Sequence, residues 1–71
     1  MALIWEDDID KKLSFRIESL QNQGNILTVF DKKSGETQAT TEVYVSDARI
    51  AASDEEVSMW KSIAASIVPS K

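Results

Sequence analysis

The sequence predicts an α+β fold: a three-stranded antiparallel meander over about 13–20, 25–31 and 37–45, packed against one C-terminal helix over about 54–68. Three observations predict it. Residues 53–68 carry a helix start signal, a helix stop signal and a helical apolar period. Residues 13–45 carry alternating apolar and polar positions in three runs. Each run is separated from the next by a polar, glycine-containing turn, Asn22-Gln23-Gly24 and Lys33-Ser34-Gly35.

The helix is the most strongly marked element. Ser53 followed by Glu56 is a capping-box signature: the hydroxyl accepts from a first-turn N–H, and Glu56 is expected to reach back to the N–H of Ser53. Asp54, Glu55 and Glu56 place negative charge at the positive end of the helix dipole. Pro69 ends the helix, because it has no N–H and disfavours helical geometry in the residue before it. Val57, Trp60, Ile63, Ala64 and Ile67 make the apolar face, with Met59 and Val68 at its margins. The opposite face holds Ser58, Lys61, Ser62, Ala65 and Ser66. A solvated helix back accounts for it. Ser58, Ser62 and Ala65 also form a flat strip on which a partner could pack.

In the first strand Leu13, Phe15 and Ile17 alternate with Ser14, Arg16 and Glu18. A helix over 6–22 is the alternative, since Trp5, Ile9, Leu13, Ile17 and Leu20 share a helical face. That α-β-β-α reading strands Phe15 on the polar side. The second strand has apolar residues on both faces, and the third is rich in Thr, Val and Tyr, which favour strands. Met1–Trp5 is a short apolar segment. The acidic residues Glu6, Asp7, Asp8 and Asp10 after it predict a solvated or short helical turn.

A three-residue second turn with Gly35 left-handed places Lys32 opposite Glu36, Val29 opposite Ala39, Leu27 opposite Thr41 and Phe30 opposite Gln38. A four-residue turn would oppose Asp31 and Glu36. Treated alike, the first turn places Ile17 beside Val29 and Leu20 beside Ile26. One face then carries Leu13, Phe15, Ile17, Leu27, Val29, Ala39, Thr41, Val43 and Val45, and the helix covers it. The other carries an apolar patch of Leu20, Ile26, Phe30 and Tyr44.

At 71 residues, 42% hydrophobic and 28% charged, the composition describes a single small folded domain over 1–71. There is no cysteine and no histidine. Disulfides, thiolate metal sites and the usual near-neutral acid–base group are thus excluded. The acidic stretch 6–10 lacks the glycine and terminal Glu of a calcium loop, so no metal and no cofactor is expected. No apolar run spans a bilayer, and the N-terminus has no basic signal region, so a cytoplasmic location is expected. The isolated glycines form no phosphate loop, and no nucleophile–base pair is apparent, so the chain reads as non-enzymatic.

Net charge is −4. It opposes nonspecific nucleic-acid and anionic-membrane binding and favours a basic protein surface as partner. Phe30, Tyr44 and Arg16 suggest a nucleic-acid-binding sheet as a minor alternative, but the RNA-binding motif is absent and the charge has the wrong sign. The reading is a small acidic protein-binding module that docks on a larger, basic-surfaced partner to modulate or inhibit it. An accessory inhibitor of the phage type is one sub-case. The steering residues are Glu6, Asp7, Asp8, Asp10, Asp54, Glu55 and Glu56. The contact residues are Leu20, Ile26, Phe30, Tyr44, Ser58, Ser62 and Ala65. The alternative is an assembly subunit that forms a homodimer through the second sheet face, unless Leu3-Ile4-Trp5 folds back over it.

Overall fold

In a computed structural model describing residues 2–69, the chain forms four strands and one helix. They are β1 Ala2–Asp8, β2 Leu13–Leu20, β3 Gly24–Asp31, β4 Thr37–Glu42 and α1 Asp54–Ile67. The strands make one antiparallel sheet in the order β1-β2-β3-β4. The expected α+β class is present, and each of the three expected strands is found, the third ending at Glu42 and not at 45 because the chain there turns toward the helix, where the Tyr44 carbonyl accepts from Trp60. The sheet has a fourth strand, because residues 2–8 pair with β2 instead of forming an apolar flap and an acidic turn. The helix expected as an alternative over 6–22 is replaced by β1, a turn and β2.

The first hairpin is tighter than expected. Ile17 pairs with Leu27 and Leu20 with Gly24. The turn is Gln21-Asn22-Gln23, with Asn22 at φ 67° and Gly24 at φ 77°. Left-handed backbone suits Gly and, among residues with a Cβ, Asn. In the second hairpin Val29 faces Ala39 and Leu27 faces Thr41 as expected, but Phe30 faces Thr37 because the register shifts at Gln38. Asp31 N–H donates to the Glu36 carbonyl at 2.9 Å, so four residues form the loop. The expected Asp31–Glu36 repulsion is avoided because the Asp31 carboxylate turns into the loop, where it accepts from the N–H groups of Lys33 and Ser34, each at 2.9 Å. Lys32 pairs with Asp8 at 3.1 Å instead of Glu36.

The core lies on one sheet face. Phe15, Ile17, Leu27 and Val29 are fully buried there against Trp60 and Ala64 of α1. Trp5 joins them from β1, its ring centroid 6.3 Å from that of Trp60 and tilted by 48°. The first strand thus enlarges the core layer and leaves the other face open. Trp60 Nε1–H donates to the Tyr44 carbonyl at 3.1 Å, which ties the helix to the segment leaving β4. Lys61 reaches Asp7 of β1 at 3.2 Å.

The helix start is half a capping box. Ser53 accepts from Glu56 N–H at 3.2 Å. Glu56 does not return to Ser53. Its carboxylate accepts from Ser46 N–H at 2.9 Å and from the Ser46 hydroxyl at 3.2 Å, fixing the segment between β4 and α1. The helix ends with Val68 extended, ψ 129°, before Pro69.

Candidate functional site

The second sheet face has no element over it among the described residues. It is nevertheless not bare. Arg16 lies over the Phe30 ring at 4.8 Å and bonds Glu18 at 3.0 Å. Ser14 and Thr28 are buried beneath these longer neighbours. Leu20, Ile26 and Phe30 are each half-buried. Cross-strand neighbours explain this: Ile26 sits between Glu18 and Glu42. The expected apolar patch is therefore interrupted by charged cross-strand neighbours. Tyr44 lies beyond the end of β4.

The acidic stretch is divided between the two faces of the sheet. Side chains alternate along β1, so Asp7 shares the helix face with Trp5 while Glu6 and Asp8 point away from it. Asp7 is occupied by Lys61, and Asp8 by Lys32 and by the Ser14 hydroxyl at 2.8 Å. Asp10 closes the β1–β2 turn by accepting from Lys12 N–H at 2.7 Å and Leu13 N–H at 2.9 Å. These bonds hold all three carboxyls below the ordinary aspartate range: the backbone N–H of Asp8 most of all for Asp7, the Ser14 hydroxyl for Asp8, and the Lys12 N–H for Asp10.

A different grouping emerges at the start of α1. Tyr44, Ser46, Ser53, Glu55, Glu56 and Met59 line an open hollow of about 380 Å³. Tyr44 is 72% exposed and Met59 41%. Two large apolar side chains thus stand in water beside the acidic first turn Asp54-Glu55-Glu56. The architecture fixes this arrangement. The Trp60 bond to the Tyr44 carbonyl and the Glu56 bonds to Ser46 both hold the connecting segment against the helix. Glu55, Met59 and Ser62 fall on one helical stripe by their spacing.

No family model, curated protein or solved structure matches the chain. The reading of this hollow therefore rests on its own chemistry.

Of the expected site residues, Tyr44, Glu55 and Glu56 come together in the hollow, and Asp54 adjoins them in the same helical turn. Ser58, Ser62 and Ala65 are exposed on the outer helix surface as their spacing implied. Leu20, Ile26, Phe30 and the Glu6–Asp10 carboxylates lie elsewhere. Met59 appeared in the sequence only as a marginal core residue. Its signal was its position about 100° from the Trp60-centred face, where a side chain clears the sheet.

A second hollow of about 440 Å³ lies where the C-terminal end of α1 meets the turns, lined by Asp10, Lys12, Leu13, Asp31, Gln38, Val68 and Pro69. Its two carboxylates are already engaged by turn N–H groups. Among the described residues no group of three or more carboxylates is placed to hold a metal ion. No described helix is long and apolar enough to cross a membrane.

Proposed function

We propose that the chain is a small non-catalytic docking module that seats a larger, basic-surfaced protein on the Tyr44–Met59 hollow and so modulates or inhibits that partner. The observation that carries this reading is the pairing of exposed apolar groups with carboxylates at one place. An aromatic ring provides contact area at low entropic cost, and Tyr is enriched at binding hot spots. The first-turn carboxylates Asp54, Glu55 and Glu56 steer a cationic partner toward it. A self-assembling subunit is the second reading. The open sheet face favours it, and the half-burial of Leu20, Ile26 and Phe30 by their own neighbours limits the apolar area it offers.

The test is retention of basic proteins from a lysate of the source cells on immobilised wild type, Tyr44→Ala/Met59→Ala and Glu55→Lys. One protein is expected to bind the wild type at low salt and to be lost, by about tenfold or more, on the double variant, as for removal of hot-spot contacts. Glu55→Lys is expected to slow its association, since Glu55 is exposed at the rim of the hollow and rim charges act mainly on the on-rate. Equal retention on all three surfaces would remove the hollow from the account.

A further inference from the structure

We propose that β4 pairs edge to edge with β4 of a second copy of the chain, antiparallel about a two-fold axis at Thr41. The sheet has two edges, β1 and β4. The β1 edge carries the devices that discourage pairing: its register shifts between Leu3 and Trp5, and its second half is acidic at Glu6, Asp7 and Asp8. The β4 edge, Thr-Gln-Ala-Thr-Thr-Glu, has no proline and no basic residue, and its one charge is Glu42. Its register shift lies at Gln38, near its start.

The hydrogen-bond phase shows which groups are available. Val43 N–H donates to the Asn25 carbonyl at 3.0 Å, so Val43 and, two and four residues earlier, Thr41 and Ala39 bond toward β3. Antiparallel ladders alternate, so Thr40 and Glu42 turn their N–H and C=O groups outward. Both residues are exposed.

These groups select one register. With the axis at Thr41, Thr40 exchanges both backbone bonds with the copy's Glu42, and Glu42 with the copy's Thr40. Thr41 then faces itself and Ala39 faces the copy's Val43. All three are half-buried on the helix face, so the contact continues the core layer. The Thr40 hydroxyl can also donate to the copy's Glu42 carboxylate. An axis at Glu42 would oppose two carboxylates, which is destabilising. An axis at Thr40 would need bonds from Gln38, where the ladder is irregular. The contact is short, so the dimer is expected to be weak and to depend on concentration.

Sedimentation over a range of concentrations tests this. The wild type should move from 7.9 kDa toward twice that value, and Thr40→Pro should stay at 7.9 kDa. Proline is tolerated at an edge position whose N–H faces outward, so the far-UV spectrum should be unchanged. The chain has no cysteine, which makes a second measurement clean. Under mild oxidation Thr41→Cys should form a disulfide-linked dimer at least ten times faster than Thr37→Cys. Non-hydrogen-bonded partners are about 4.5 Å apart at Cα, within disulfide reach. The two Thr37 positions would lie about 27 Å apart across the pair at ~3.4 Å per residue. If Thr40→Pro does not fold, the cysteine pair alone decides. A wild type at 7.9 kDa at every concentration overturns the proposal and leaves the edge to a strand from another protein. A dimer that survives Thr40→Pro, or equal crosslinking of the two cysteine variants, overturns it as well.

Discussion

Trp60 is fixed both through its ring and through its nitrogen. The ring is fully buried among Phe15, Ile17, Leu27 and Val29, and the indole N–H bonds the Tyr44 carbonyl. Trp60→Ala is expected to destabilise the fold by about 3–5 kcal/mol, the usual cost of removing a buried aromatic. Chemical denaturation checks this, and a loss below about 1 kcal/mol would contradict the burial, since that is the range of surface substitutions. Trp60 was legible from sequence, because helical spacing puts it at the centre of the apolar face. Trp5 was not. It is followed by Glu6-Asp7-Asp8, residues with low strand propensity, and only pairing with β2 makes that segment extended. Its N–H is buried without a partner in the structure.

At the scale of elements, α1 was readable to within a residue because cap, dipole charges, period and stop all agree. The cap itself divides its labour. Ser53 caps α1, while Glu56 holds Ser46 and with it the connection from β4. Ser53→Ala is therefore expected to cost about 1 kcal/mol, the usual value for a lost N-cap hydroxyl. Glu56→Ala should act differently: amide exchange should quicken at Ser46 while the central helical amides stay protected. Equal acceleration along the whole helix would show that Glu56 is an ordinary cap residue. The strands show how a wrong register can give the right faces. The expected first hairpin was displaced by two residues, and a two-residue slip returns every side chain to the same face. Phe15, Ile17, Leu27 and Val29 were placed in the core for that reason. A slip of one would have exposed them. The Tyr44–Met59 hollow was legible only in part, because the fixed path of residues 43–53 is set by long-range bonds that leave no local pattern.

Across the whole molecule, five aspartates have their carboxyls held below the ordinary range. Asp7, Asp8, Asp10, Asp31 and Asp47 each accept hydrogen bonds from turn N–H groups, hydroxyls or cationic side chains. A group with a depressed folded pKa contributes its stability above the unfolded value, and this contribution is lost as the pH falls through the folded one. These residues therefore leave stability flat near neutrality and erode it below about pH 4, the unperturbed aspartate range. Thermal melts between pH 6 and 2 should show the decline. Asp31→Asn keeps an acceptor for Lys33 and Ser34 but does not titrate, so its decline should be shallower; an identical slope would exclude Asp31 from the effect. The fold also closes on itself from its first strand to its last element. Trp5 and Trp60 are 6.3 Å apart at a 48° tilt. Two indoles so close and so inclined couple their electronic transitions, so the native state carries a chiroptical signal that neither ring has alone. That signal is expected to vanish when β1 leaves α1, which would give the chain an internal gauge of closure that needs no label.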